Sequence, residues 1–172
     1  MELWKIEPGK PSGLLAAGEQ IPTPGFAWLD IRYEEVGALQ AEVERLTGVR
    51  IFDVHVSDAT NLGHPSFFDS TDTYEIVVFR GLAPQSTADA IVTRPMTLFN
   101  FDQLLVTVRA VDSRSVAQVK SRFANLPGKN PQSPDDLMHR LLSAMVDHYL
   151  ALRQPLAKRL DDWQHALLDP RK

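Results

Sequence analysis

Cysteine is absent from this 172-residue sequence. Its absence excludes disulfides, thiolate zinc sites, iron–sulfur clusters and a cysteine nucleophile. A metal ion can therefore bind only through oxygen or imidazole ligands. Residues 1–5 also lack the apolar core of a secretory signal, so we expect the chain to be cytoplasmic.

Long hydrophobic runs and an excess of positive charge are missing as well. The longest strongly apolar run is Ile76–Phe79, far short of the ~18–20 residues that a membrane helix needs. Lys and Arg number 18 against 22 Asp and Glu, so we expect no nucleic-acid partner bound through a basic face. A hydrophobic content of 44% is typical of a globular protein with a buried core, and the length allows one compact domain with an appended helix.

The motifs of common catalytic sites are also missing. The sequence holds no Gly-x-Ser-x-Gly elbow, no phosphate-binding loop and no dinucleotide-binding glycine motif. The adjacent acids Asp135–Asp136 and Asp161–Asp162 lie on predicted helices, where neighbours point about 100° apart and cannot share a proton. His139, His148 and His165 are too widely spaced for a ligand set. We therefore expect no enzymatic activity.

Apolar and alternating segments predict a sheet of at least five strands in the first two thirds of the chain. These strands are placed at residues 3–6, 26–31, 74–79, 90–101 and 104–109. The third is apolar on both faces, which predicts a central position in the sheet. Residues 51–72 are expected to be irregular or short-helical.

Two helices are predicted beside these strands. The first carries apolar residues at steps of three and four and ends at Gly48, and the second begins at Ser113–Ser115 and ends at Pro127–Gly128. Their inward-facing residues are Val36, Leu39, Val43, Leu46, Val116, Val119 and Phe123.

A third, long helix is predicted from residue 133. Ser133–Asp136 combines a hydroxyl N-cap, a proline at the first helical position and acids in the first turn. One apolar stripe runs from Met145 to Leu167 and lasts until Asp169–Pro170, and Pro155 predicts a kink or a break within it. The stripe either packs on its own domain or forms a stalk that leaves it. We divide the chain into a domain of residues 1–132 and a stalk of residues 133–172.

Charge is unevenly distributed along the chain. Residues 30–75 hold ten acids and three bases, whereas residues 76–132 hold three acids and seven bases. One interpretation is that the acids coat an exposed helix and pair with the basic block. The other is that part of the acidic block attracts divalent cations. In a helical turn at residues 54–61, His55 and Asp58 share a face, which makes Asp58 a candidate metal ligand, although aspartates there also cap turns.

The order of these elements resembles the cytoplasmic domain of CorA-type divalent-cation transporters and their zinc-transporting relatives, ZntB. The resemblance covers roughly residues 26–168. Its most specific part is Ala144–Tyr149 followed by Leu160–Trp163, which is similar to the start of the family's stalk helix. The other matching segments are Phe26–Ile31, Val56–Ala59, His64–Pro65, Tyr74–Arg80, Leu104–Arg109 and Leu137–Leu168.

This resemblance implies an α/β (α+β) fold, an α/β/α sandwich with a mixed β-sheet followed by a long C-terminal stalk helix. It also implies passive or gated entry of Mg²⁺, Co²⁺, Ni²⁺ or Zn²⁺ through a homopentameric full-length transporter, with this domain sensing the ion on the cytoplasmic side of the inner membrane. It implies no cofactor other than a regulatory divalent cation (Mg²⁺, Co²⁺ or Zn²⁺). In the magnesium branch a Glu-Asp pair at the position of Ser57–Asp58 contributes to regulatory sites between subunits. Only Asp58 matches, and Ser57 removes one carboxylate.

The family's Gly-Met-Asn pore signature and its two membrane helices do not occur in these residues. We therefore expect an excised soluble domain that is a monomer or a weak dimer, because a stalk cut near its beginning lacks most of its assembly surface. The alternative is a stand-alone interaction module that binds a partner protein through the helix at residues 133–168.

Overall fold

The computed structural model describes residues 1–16, 18–125 and 129–168. Within this part of the chain the strands are β1 (Glu2–Ile6), β2 (Gly13–Leu14), β3 (Phe26–Arg32), β4 (Phe67–Ser70), β5 (Glu75–Leu82), β6 (Thr93–Phe101) and β7 (Leu104–Arg109). The helices are α1 (Leu39–Thr47), preceded by a 3-10 turn over Tyr33–Ala38, then α2 (Asp53–Thr60), α3 (Arg114–Asn125) and α4 (Pro134–Leu168). The predicted ends at Pro127–Gly128 and Asp169–Pro170 lie outside the described residues.

The seven strands form one mixed sheet in the order β2-β1-β3-β7-β6-β5-β4. The β3–β7 pair is parallel and every other pair is antiparallel. All of β7 and nearly all of β3 are buried, as expected for a parallel pair covered on both faces.

The predicted central position of the third apolar segment is wrong. Its strand, β5, lies next to the edge strand β4, and β7 occupies the centre. Ile76 and Val78 are buried, whereas Val77 and Phe79 are only partly buried, because the layer on their side covers the sheet less completely near its edge. The short edge strands β2 and β4 were not predicted.

Helices cover both faces of the sheet, which confirms the predicted α/β/α sandwich. One core joins the sheet to α1 and α2 through Leu39, Val43 and Ala59. The second core joins the opposite face to α3 and α4 through Val119 and Leu141.

The long helix α4 begins as predicted, because the Ser133 hydroxyl accepts a hydrogen bond from the Asp136 N–H at 3.2 Å. It continues without a break through Pro155 as far as Leu168. Its first three turns hold the buried residues that attach it to the sheet, ending at Met145. No helix in the described ranges is both long enough and apolar enough to span a bilayer.

Candidate functional site

The two residues that the sequence analysis placed on one helical face, His55 and Asp58, both lie on α2 but contact different partners. His55 is buried, with its Nδ1 2.8 Å from the Tyr74 hydroxyl and its Nε2 3.3 Å from Asp69 Oδ2. The Tyr74 hydroxyl accepts a hydrogen bond from the Phe52 N–H at 3.0 Å. Burial raises the pKa of Tyr74 above its ordinary value, which keeps this hydroxyl a donor. His55 therefore fixes α2 against β4 and the turn that precedes β5.

Asp58 contacts His64 rather than His55. Its Oδ1 lies 3.4 Å from His64 Nε2, and the two side chains are 21% and 19% exposed. In the described part of the chain, the Asp58 carboxylate has no other side-chain or backbone donor. Helix α2 thus takes part in two acid–histidine contacts, one between His55 and Asp69 of β4 and one between Asp58 and His64 of the following loop.

The loop after α2 is held in a defined position for this contact. The Arg80 guanidinium donates hydrogen bonds to the carbonyl oxygens of Leu62 at 3.0 Å and His64 at 2.9 Å. The Phe67 ring lies 4.7 Å from the His64 ring, measured between centroids. His64 Nδ1 lies 2.8 Å from the carbonyl oxygen of its neighbour Pro65. These contacts fix both the backbone and the ring of His64.

Among the described residues, no group of three or more His, Cys, Asp or Glu side chains could hold a metal ion. The candidate site therefore offers one carboxylate and one imidazole from this chain. Ser57 is exposed beside Asp58. The metal role of Asp58 stays a prediction.

Two acids of the 30–75 block, Glu42 and Asp53, pair locally rather than with the basic block. Glu42 pairs with Arg45 at 2.5 Å, and Asp53 lies 3.5 Å from Arg50. Asp30 is different, because it contacts Arg109 and Lys120, both from the basic block. The interpretation that the acids pair with the basic block therefore holds for Asp30 but not for Glu42 or Asp53.

Sequence reasoning missed this buried ionic network around Asp30. Asp30 accepts hydrogen bonds from Arg109 at 2.6 Å, Lys120 at 2.5 Å and the Thr107 hydroxyl at 2.8 Å. Thr107 also accepts one from the Trp28 indole at 3.1 Å. Burial by itself would raise the pKa of Asp30, but the hydrogen bonds from Arg109 and Lys120 outweigh it and hold the pKa below its ordinary value. A single aspartate inside the apolar segment Phe26–Ile31 was the available signal.

The second functional feature is the distal part of α4. Its apolar stripe emerges from the domain and becomes steadily more exposed, from 38% at Leu156 to 54% at Leu160, 56% at Trp163 and 85% at Leu167. Arg159, on the same part of the helix, pairs with Asp89 of the loop between β5 and β6. The apolar stripe beyond Leu156 is therefore largely exposed, although the Arg159–Asp89 pair still ties this part of α4 to the domain, and the stalk at residues 133–172 stays a prediction. A continuous exposed apolar surface of this kind marks an interaction site.

A family model described as CorA-like Mg²⁺ transporter protein matches residues 24–172. The chain belongs to this family. No curated protein sequence matches it.

Solved structures resemble this CorA-family chain over its whole fold. The full-length CmaX protein gives a TM-score of 0.76 at 15% identity, and the CorA magnesium transporter from Methanocaldococcus jannaschii gives 0.71 at 10% identity. Both matches cover 100% of this chain and 53% of the other. The ZntB cytoplasmic domain from Vibrio parahaemolyticus RIMD 2210633 gives 0.63 at 16% identity, covering 88% of this chain and 60% of the other. The chain thus spans about half the length of the full-length structures, and at these identities the likeness shows the fold.

Proposed function

We propose that this chain is the cytoplasmic regulatory domain of a CorA-like divalent-cation transporter. In the full-length transporter, α4 continues toward the membrane-spanning part, and five copies assemble around their stalks. The observation that carries the proposal is the exposed apolar stripe on the distal part of α4. Family membership and the names of the structural relatives, which include a magnesium transporter and a ZntB domain, support the same role.

The regulatory mechanism is electrostatic. The Asp58 carboxylate is 21% exposed, and in the described part of the chain it contacts His64 Nε2 at 3.4 Å. When Asp58 approaches acids of an adjacent subunit, like charges repel until a divalent cation bridges them. Cation binding then stabilises the closed assembly, and loss of the intracellular cation permits opening. A coupling of this kind amounts to ~1–3 kcal/mol, which corresponds to a change in affinity of roughly 5–150-fold.

Transport by the reconstituted full-length protein tests this role. Asp58→Asn should raise the internal cation concentration that inhibits flux into liposomes by roughly 5–150-fold, with the unregulated flux unchanged. Asp69→Asn is the matched control, because it removes the carboxylate of the other acid–histidine pair. If Asp58→Asn keeps the parent's response to internal Mg²⁺ and to Zn²⁺, Asp58 is not a sensor.

The oligomeric state of the 172-residue chain tests the stalk. We expect light scattering to show a monomer or a weak dimer, because only the start of a stalk is available to hold subunits together. A tight pentamer at micromolar concentration would contradict this expectation. If the gene encodes no apolar run of ~20 residues after residue 172, the exposed stripe is instead the binding face of an interaction module for a partner protein.

A further inference from the structure

A cleft at the start of α3 has no part in the proposed function. It lies between the end of β5, the start of β6 and the segment that joins β7 to α3, and we call it the α3 cleft. Its lining includes Arg94, Arg109, Asp112, Arg114, Ser115 and Met145. Its volume of about 30 Å³ leaves room for roughly two or three water molecules. One small ion fits this space, whereas a nucleotide does not.

Helix α3 begins at this cleft with unpaired backbone N–H groups. Its first N–H that bonds to a carbonyl oxygen is that of Ala117, which donates to Ser113 at 3.2 Å. The N–H groups of Arg114, Ser115 and Val116 come before it, and they have no acceptor in the described part of the chain. Unpaired N–H groups and aligned peptide dipoles make a helix N-terminus favourable for an anion.

The first turn of α3 also has the wrong charge for its own dipole. Acids stabilise the positive end of a helix, and bases destabilise it. Helix α4 follows this rule with Asp135 and Asp136 in its first turn. Helix α3 has no acid in its first turn and begins with Arg114. A bound anion would offset both the dipole and the guanidinium charge.

The Ser115 hydroxyl is an independent sign that the cleft takes a ligand. Ser115 is only 6% exposed and lines the cleft, yet its hydroxyl has no hydrogen-bond partner among the described residues. This oxygen is not fully enclosed by protein either, so it is open to a group in the cleft. A nearly buried hydroxyl without a partner loses the hydrogen bonds it would make in water. An anion in the cleft would accept its proton.

The remaining charges of the cleft leave one guanidinium without a counterion. Arg109 pairs with Asp30, and Arg94 pairs with Asp112. The Arg114 guanidinium donates a hydrogen bond to the Ala83 carbonyl oxygen at 3.2 Å, and within the described ranges it has no carboxylate partner. Its other N–H groups are available to a ligand. The cleft therefore carries a net positive charge, which the Asp112 carboxylate partly reduces.

We propose that the α3 cleft binds a small tetrahedral oxyanion of the size of phosphate or sulfate. The ligands are the N–H groups at the start of α3, the Ser115 hydroxyl and the Arg114 guanidinium, whose planar fork matches two oxygens of such an anion. Met145, the last buried residue of α4, lines the same cleft. The anion would thus bind beside the point where α4 leaves the sheet. This site is separate from Asp58 and goes beyond the proposed function.

Titration of the untagged 172-residue chain with sulfate and with phosphate tests the proposal, with the ionic strength held constant by sodium chloride. Arg114→Gln should weaken binding by about tenfold or more, because a hydrogen bond to a charged group is lost, and Ser115→Ala by roughly 2–10-fold. Asp112→Asn should strengthen binding, because it removes the negative charge from the cleft. Arg122→Gln is the matched control: it removes the same charge from the last turn of the same helix and should leave the affinity within about twofold.

Two results would overturn the proposal. One is an equal loss of affinity in Arg114→Gln and Arg122→Gln, which would show only a general effect of charge. The other is the absence of any binding of sulfate or phosphate beyond that of chloride. Neither result bears on transport or on Asp58, so the proposed function and this inference can fail separately.

Amide NMR of the unsubstituted chain keeps the test independent of whether the variants fold. Sulfate should shift the amide resonances of Arg114, Ser115 and Val116. The amides of Asp135 and Asp136, at the capped and acidic start of α4, should stay in place. Equal shifts at the two helix starts would contradict a site built at α3.

The His148 ring gives a second reading on the same sample. Burial, and after it the charge of Arg114, lowers the pKa of His148, against an opposing effect of Asp147. An anion bound to Arg114 should therefore raise the pKa of His148, while the pKa of His165, at the far end of α4, stays unchanged. Sulfate is the probe here because it does not titrate near neutral pH. A His148 pKa that sulfate leaves unchanged would refute binding at Arg114.

Discussion

Replacement of Asp30 by asparagine should destabilise the domain more than the loss of any surface ion pair. The Asp30 side chain is 1% exposed, and it holds the nearly buried guanidinium of Arg109 and the ammonium of Lys120 in place. Asparagine has nearly the same shape but no charge, so the buried Arg109 guanidinium would lose its carboxylate partner and Lys120 would keep only Glu2 of β1. Breaking a buried ion pair from one side costs roughly 3–5 kcal/mol.

This cost can be measured by urea unfolding. In thermal unfolding of a chain of this size, the same loss of roughly 3–5 kcal/mol lowers the melting temperature by roughly 6–20 °C. Fluorescence of Trp28 and Trp4 is a suitable signal, because the Lys120 ammonium lies 5.3 and 5.6 Å from their ring centroids. Asp112→Asn is the control: its pair with Arg94 is exposed, and such pairs contribute about 0–1 kcal/mol.

The pH dependence of this difference follows from the direction of the pKa shift. The pKa of Asp30 is lower in the folded state than its ordinary value of 3.8. The folded protein thus gains stability from the ionised carboxylate above that value, and loses the gain as the pH falls through the folded-state pKa. The stability gap between the parent and Asp30→Asn should be constant from neutral pH down to about 4 and shrink below it. An Asp30→Asn variant within about 1 kcal/mol of the parent at pH 7 would refute the reasoning.

Three further predictions concern the packing of the domain. Leu160→Glu on the exposed part of α4 should leave the melting temperature of this chain unchanged. Leu141→Ala on the buried part should instead lower the free energy of unfolding by roughly 2–5 kcal/mol. Equal effects of the two variants in thermal or urea unfolding would contradict the exposed position of distal α4. Gly25→Ala should cost more than about 1 kcal/mol, whereas a backbone-compatible Gly→Ala change stabilises by about 0.4–1 kcal/mol. The reason is that φ is +142° and a Cβ would lie 2.6 Å from the Ile6 carbonyl oxygen. A neutral result in urea unfolding would be inconsistent with this close approach. Gly81→Ala would place a Cβ 2.6 Å from the flexible end of Met145, so we expect the free energy of unfolding to fall by about 1–2 kcal/mol. In the double variant with Met145→Ala the clash is absent, so the two effects on unfolding should not add.

Several elements follow from sequence pattern alone, because their signals are local. The steps of three and four that end at Gly48 produce α1, and Gly48 adopts the left-handed C-cap conformation with φ of +72°. The Ser133 cap determines where α4 begins. The apolar composition of β7 determines that it is buried. The order of these elements was also enough to indicate the family and the α/β/α layers.

Tertiary structure decided which residues meet. Periodicity shows which face of a helix is apolar but not what lies opposite that face, so only the fold shows that the α4 stripe is buried at Met145 and exposed at Leu160. Asp30 and Arg109 are 79 residues apart, and the parallel register of β3 and β7 brings them together.

The candidate site, too, could be predicted from the sequence only in part. Asp58 could be selected from its residue type and its helical turn, but its partner could not. The i, i+3 spacing suggested His55, whereas the loop held by Arg80 places His64 there instead. His64 Nδ1 also contacts the Pro65 carbonyl oxygen at 2.8 Å, and the direction of a carbonyl is a property of the folded backbone. The sequence therefore determined that an acidic ligand was available, and the folded loop decided which atom faces it.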